Sequence, residues 1–310
     1  MDNNIKPILK WAGGKTQMIP QIIVNLPSDL DKYTTYIEPF IGGGAVFFYM
    51  VQKEYFDSYI INDINEKLVN LYIVLRDNYS ELLTKLELLK NEYLSLESLE
   101  EKEKYYYNIR TLYNENNTDL VNMAGWIIFL NKTCFNGLYR ENLKGNFNVP
   151  FGKHNAPSFY DEQNLQNIST LLNRKNDEGE FIVKILSGTF EALEKYIDDK
   201  SFVYLDPPYR PVTKGGFNSY NKSSFNDDMQ VNLKEFFARL DKKSAKLMLS
   251  NSDPKILDTE DNFFDNLYAS FCINRVSAKR MINRDGKGRG SISELLITNY
   301  TVSQKDILVS

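Results

Sequence analysis

The chain has 310 residues, 42% of them hydrophobic and 25% charged, ordinary proportions for a globular protein with a sizeable core, and its length suggests about two domains. No export signal and no apolar run of about 18 residues is found, and the only cysteines, Cys134 and Cys272, cannot build a disulfide framework, so a soluble protein of a reducing cytoplasm is expected. The single histidine, His154, argues against His-rich metal sites and against Ser-His or Cys-His catalysis unless it is itself the base, and the net charge of −4 gives no global hint of a polyanionic partner.

In chain order, "WAGGKT" (11–16) comes first. A phosphate-binding loop would need glycine where Leu9 stands, and no apolar strand leads into the segment, so a nucleotide triphosphatase is disfavoured. Trp11 and Lys15 beside two glycines offer an indole for a flat ring and an amine for a carboxylate. Next, "YIEPFIGGGAVFF" (36–48) reads as a strand, a glycine turn and the start of an apolar helix. Asp63 ends the following strand, "SYIIND" (58–63), 21 residues after Gly42, a spacing that suits two ribose hydroxyls. A dinucleotide fingerprint would require glycine at Phe47, which weakens the nicotinamide or flavin reading.

Residues 65–94 carry helical periodicity rich in Leu, Glu and Lys, and "ESLEEKEK" (97–104) looks like a solvated helix. The region 66–165 breaks the strand–helix rhythm and reads as an insertion, ending in loop-like sequence over 135–157. Strand-like runs resume at 181–186, 201–206, 245–251 and 294–300, near-continuous apolar segments of the kind buried on both faces. Alternating strands and helices on both sides of the insertion predict an α/β, doubly wound sheet. The tail after Tyr300 reads as a short, frayed end.

Charge is uneven. Lys132, Arg140, Lys144 and Lys153 face one acid, Glu141, over 132–153. Arg275, Lys279, Arg280, Arg284, Lys287 and Arg289 face only Asp285 over 275–290. Two such segments allow a mildly acidic protein to bind a polyanion through one face.

The richest segment is "LDPPYRP" (205–211), at the carboxyl end of a predicted strand. The prolines stiffen the backbone through Asp206 and Pro207, presenting a carboxylate and carbonyl oxygens with few competing donors. Those acceptors suit an exocyclic amine, whose lone pair becomes available when both of its hydrogens are held. Tyr209 supplies a ring on which an extruded base can stack.

These residues carry a resemblance. "DPPY", "EPFIGGG" and "KWAGGK" (10–15), in this order around an insertion, resemble the amino-methylating DNA adenine methyltransferase (Dam) family, which uses S-adenosylmethionine. "LNKTCFNGLYRENLKGNFNVPFGK" (130–153) resembles its DNA-reading segment and "SELLITNY" (293–300) its closing strand, whereas about 80–120 and the last ten residues match no motif. Some members carry another residue at Gly43.

The resemblance implies a Rossmann-like catalytic domain over 1–65 and 166–310 with an inserted, mainly helical target-recognition domain over 66–165. It implies that Trp11, Lys15, Asp63 and Asp206 contact S-adenosylmethionine, with the backbone from Phe40 through Gly42 to Gly44 beside it. Asp206, Pro207, Pro208 and Tyr209 would hold a flipped adenine in double-stranded DNA for methylation at N6, without a metal. Lys10, Phe135, Asn136, Leu138, Arg140 and Pro150 would face the duplex, and Lys144, Arg280 and Arg284 its phosphates. The expected site is GATC, in a bacterial or phage setting with or without a companion restriction endonuclease. The alternatives are a non-catalytic DNA-binding protein, an RNA or protein amine methyltransferase, and a methyltransferase reading another GAT-containing site.

Overall fold

The computed structural model describes residues 5–115, 119–142, 144–210, 225–279 and 291–302. Its strands are β1 (Thr35–Glu38), β2 (Ser58–Asp63), β3 (Val183–Ser187), β4 (Ser201–Leu205), β5 (Lys246–Ser252), β6 (Cys272–Lys279) and β7 (Ser291–Thr298). They form one sheet in the order β3-β2-β1-β4-β5-β7-β6. β1 pairs in parallel with β2 and with β4, and β4 with β5, whereas β7 runs antiparallel to both β5 and β6. The strand order therefore reverses at β1 and β4, the place where open α/β sheets bind ligands at their carboxyl ends. The expected α/β, Rossmann-like sheet is present.

Every predicted strand forms, shifted at most a few residues at its ends. β4 is buried at all of its positions, which explains its unbroken apolar sequence. β6 was not anticipated, because its basic and polar residues disguise a strand at the sheet's edge. The periodic run 65–94 is two helices, α3 (Glu66–Asp77) and α4 (Tyr79–Ser95), interrupted at Asn78 with φ −133° and ψ 39°. The last eight residues lie outside the described part.

The chain divides into two compact units. One comprises Met1–Gly14, Gly42–Gln52 and Asn62–Gly188. Within it, α2 (Ala45–Gln52), α3, α4, α5 (Leu99–Asn114), α6 (Leu120–Thr133) and α7 (Glu162–Leu172) supply the helices. α6 buries every residue from Met123 to Asn131, as a helix apolar all round must, and α3, α4 and α5 pack on it. Asn65 caps α3 by accepting from the backbone N–H groups of Lys67 and Leu68, both at 3.1 Å. α5 is less solvated than its acidic start suggests. Its Tyr106, Ile109 and Tyr113 are buried, and so is Lys102, whose ammonium donates to the Asn155 carbonyl at 3.2 Å.

The other unit comprises Lys15–Ile41, Lys53–Ile61 and Thr189–Ser310. It holds α1 (Ile19–Val24), β1, β4 to β7, α8 (Asp227–Lys242) and α9 (Phe263–Leu267). Asn226 caps α8, which buries Leu233, Phe236, Phe237 and Leu240 along one stripe. Among the described residues no helix is long and apolar enough to cross a membrane.

Candidate active site

β1 runs into the glycine turn, and α2 begins directly after it, as expected. Gly42 and Gly44 both have positive φ, 46° and 74°. A Cβ at Gly42 would lie 3.0 Å from Cδ1 of Trp11, and one at Gly44 only 2.7 Å from the Tyr72 hydroxyl. Both conformation and space thus demand glycine. Asp63 fastens the turn: Oδ2 accepts from the Gly42 N–H at 3.1 Å and Oδ1 from the Asn65 N–H at 2.9 Å. Burial raises its carboxyl above the ordinary range, against the lowering effect of those backbone donors. The Tyr72 hydroxyl donates to the Gly42 carbonyl at 3.1 Å. Trp11, Gly42, Gly44 and Asp63 therefore come together, and Tyr139 joins them, its ring stacked on the indole at 4.5 Å.

In the other unit, Asp206 follows β4 and is held from two directions. Lys15, 4% exposed, places its ammonium 2.9 Å from Oδ1, and the Ser250 hydroxyl donates to the same oxygen at 2.9 Å. The carboxylate expected as partner of Lys15 is thus, in this structure, that of Asp206. Among the described residues no donor reaches Oδ2. Burial raises the Asp206 carboxyl above its usual range, with Lys15 and Ser250 opposing the shift. The Pro208 carbonyl accepts from the Gln230 amide at 3.3 Å, whereas the Pro207 carbonyl has no donor among the described residues. Gln230 is fully buried and in turn accepts from Asn251, whose side-chain oxygen receives the Arg210 N–H at 3.2 Å. Arg210 bridges Asp227 and Asp261 at 2.8 and 2.7 Å. The Tyr209 hydroxyl donates to Glu294 at 2.7 Å, and the Lys15 ammonium lies 4.3 Å from the centre of its ring. Phe40 packs its ring on Phe190 and Phe225, so only its backbone is available for the predicted role.

The segment expected to read DNA is a closed loop in the first unit. Bridges Cys134–Phe151 and Glu141–Phe147 pair its two arms, and the Phe135 N–H donates to the Pro150 carbonyl at 2.9 Å. Phe135 is 57% exposed, and Asn136, Arg140, Lys144 and Pro150 are exposed beside a half-exposed Leu138. Asn136 holds the turn at φ 59°, a conformation asparagine tolerates. Lys10 is exposed and donates to the Asn136 carbonyl at 2.7 Å. The Arg140 Nε–H donates to Asn148 at 2.8 Å. From below, Tyr106 and Arg110 hold the Val149 carbonyl at 2.7 and 3.1 Å, and Asn114 holds Phe147 through both its carbonyl and its N–H. The motifless stretch before residue 120 is thus the loop's scaffold. Arg275 departs from the free basic face expected for it, because Asp253 and Asp265 neutralise it at 3.2 and 2.8 Å. Arg280 and Arg284 lie outside the described residues.

Sequence reasoning missed Tyr72, Tyr139, Gln230, Ser250, Asn251 and Glu294. Three left a signal: Ser250 and Asn251 in the polar "SNS" ending an apolar strand at 250–252, and Glu294, the one acid inside "SISELLIT" (291–298).

A family model described as D12 class N6 adenine-specific DNA methyltransferase matches residues 11–282. The chain is 50% identical over 302 residues to the Type II methyltransferase M.MjaIII of Methanocaldococcus jannaschii, an alignment covering 96% of this chain and 99% of that protein. It is 36% identical over 301 residues to the Type II methyltransferase M1.LlaDCHI of Lactococcus lactis subsp. cremoris, covering 96% of each. Against the DNA adenine methylase of Vibrio cholerae serotype O1 the identity is 31% over 293 residues, covering 94% of this chain and 95% of that one. With a carboxylate, a stiff Pro-Pro and a tyrosine at a strand end, a glycine turn, and relatives matched along nearly their whole length, the chain belongs to the D12 class of N6 adenine-specific DNA methyltransferases.

Proposed function

We propose that the protein methylates N6 of adenine at 5′-GATC in double-stranded DNA, with S-adenosylmethionine as methyl donor. The observation that carries the chemistry is the pair of acceptors without a donor among the described residues, Asp206 Oδ2 and the Pro207 carbonyl. An exocyclic amine has two N–H groups to fill them. Holding both draws the nitrogen toward a tetrahedral shape and exposes its lone pair. Asp206 also suits the proton that the alkylated nitrogen must shed, because burial raises its proton affinity.

Tyr209 receives the flipped base on the ring face opposite Lys15, its hydroxyl anchored by Glu294. For the donor, the glycine turn at the carboxyl end of β1, closed in by Trp11 and Tyr72, brings backbone to the place where such sheets bind ligands, and Asp63 beside it suits ribose hydroxyls. Trp11 and Lys15 complete the donor contacts in this reading, and the region 66–165 is assigned to target recognition. S-adenosylmethionine supplies a sulfonium whose methyl group needs only in-line placement.

The GATC reading rests on the exposed loop residues. Arg140, its Nε bound to Asn148, keeps the outer fork of its guanidinium for guanine O6 and N7. Leu138 and Pro150 offer apolar surface to thymine methyls, Lys10 and Asn136 reach base edges or phosphate, and Phe135 is the wedge. Lys144 contacts phosphate only. The enzyme works in the cytoplasm, and a companion restriction endonuclease is not physically required.

The test is transfer of label from radioactive S-adenosylmethionine to duplexes carrying GATC or the same site changed at each base, with modified-base sequencing of DNA from expressing cells. Label confined to the adenine of GATC is expected. Equal labelling when the fourth base is changed would replace GATC with another GAT-containing site in which that base is not read.

A further inference from the structure

We infer that Tyr139 is a positioning residue for the methyl donor, acting through Trp11 from the inward face of the DNA-reading loop. The inference rests on the reading of Trp11 as a donor contact. Residues 138–141 alternate as a strand does, with Arg140 exposed and Tyr139 only 7% exposed. The side chain that reads DNA and the one that faces inward are therefore neighbours on one arm.

The Tyr139 ring lies nearly parallel to the Trp11 indole, 16° apart with centroids at 4.5 Å, and packs against Phe147 at 5.5 Å. Trp11 sits on an early loop segment outside any helix or strand, so this stack and the close approach to Gly42 define where its indole lies. The tyrosine hydroxyl is fixed as well. It meets the Tyr113 hydroxyl at 3.1 Å, the Asn65 amide at 3.4 Å and the Glu141 carboxylate. Asn65 gives its backbone N–H to Asp63, whose other oxygen holds Gly42. One side chain thus sets the indole by its ring, while its hydroxyl, tied to Tyr113, Asn65 and Glu141, helps to hold that ring in place. Burial pushes the phenol far above its ordinary pKa, so it stays a neutral donor at every working pH.

The full-length protein carrying Tyr139→Leu, Tyr139→Phe, Trp11→Ala or Trp11→Ala with Tyr139→Leu is assayed with S-adenosylmethionine and duplex varied in turn. Loss of the stack in Tyr139→Leu should raise the donor KM about tenfold, leaving kcat and the duplex KM within about threefold. Tyr139→Phe keeps the stack and should stay within about threefold of the native donor KM. The double variant should match Trp11→Ala alone, because the tyrosine acts through the indole. Should Tyr139→Leu yield no folded protein, Tyr139→Met carries the same expectation.

An unchanged donor KM in Tyr139→Leu while Trp11→Ala raises it overturns the inference and spares the donor reading. A rise shared equally by donor and duplex, or one that adds fully to Trp11→Ala, reduces Tyr139 to scaffolding of the loop and also overturns it. An unchanged donor KM in Trp11→Ala itself overturns the donor reading of Trp11, and the inference with it.

Discussion

Replacing Asp206 with alanine tests the chemistry and the fold at once. Sequence alone suggests that such a variant loses activity and keeps its stability. The structure predicts otherwise, because Lys15 and Asp206 meet at 2.9 Å with side chains only 5% and 19% exposed. Removing one partner of a buried ion pair typically costs 3–5 kcal/mol. Asp206 is reached by some water and the Tyr209 ring still faces the ammonium at 4.3 Å, which places the loss near the lower bound, about 3 kcal/mol. For a chain of this size that lowers the melting temperature by roughly 5 °C.

Adding Lys15→Met removes the buried ammonium as well, so the double variant should recover most of the loss. Methyl transfer should stay depressed in both, on the order of 10³-fold, because the amine then has no charged acceptor. Thermal unfolding followed by circular dichroism, with label transfer from the radioactive donor, measures both quantities. A double variant as unstable as Asp206→Ala would refute the ion-pair account. Near-native turnover in either would refute the role of the carboxylate.

Asp206 must be ionised to accept the amine, and burial raises its proton affinity, so the acid limb of the kcat/KM profile should lie above the ordinary carboxylate range. Ser250→Ala, which removes a hydrogen bond to the ionised form, should move that limb higher still; a limb that stays in place would sink the assignment. Gly42→Ala forces φ 46° on a residue with a Cβ and drives that atom against Trp11, a strain of about 1–2 kcal/mol. It should raise the KM for donor and not for duplex in steady-state kinetics. Asn148→Ala frees the Arg140 guanidinium to rotate and should cut discrimination at one guanine by about 1 kcal/mol, read as a ratio of kcat/KM values for cognate and altered duplexes. Equal loss on every duplex would make Arg140 a phosphate contact.

The sheet was legible because its central strands are covered on both faces and therefore written in unbroken apolar residues, as in "SFVYL" (201–205). β6 was not, since this strand at the sheet's edge carries Arg275 and other polar groups that read as a charge run. Only the fold reveals that Asp253 and Asp265, distant in sequence, consume that arginine's charge. Lys102 repeats the lesson in the opposite sense. Within "ESLEEKEK" nothing separates it from its solvated neighbours, yet the helix turns it inward to the Asn155 carbonyl. Local sequence reports composition, while burial is settled by what packs from elsewhere.

The site divides along the same line. Asp206, Tyr209, the glycines and Arg140 are residue types whose chemistry announces itself at a strand end or a turn. Their supports are common residues that gain a role only by long-range pairing: Ser250 reaches Asp206 across 44 positions, and Glu294 reaches Tyr209 across 85. These supports act largely by subtraction. Lys15 and Ser250 hold one carboxylate oxygen, which in the proposed mechanism leaves the other to the amine. Gln230 takes the Pro208 carbonyl, which in that mechanism leaves Pro207 as the second acceptor. Asn148 takes Nε of Arg140 and turns the remaining fork outward. A polar group with every lone pair available binds many partners weakly, whereas one with a single direction left recognises a donor placed there. In this reading, selectivity for an amine and for a guanine comes less from the motif residues than from the neighbours that close off their alternatives.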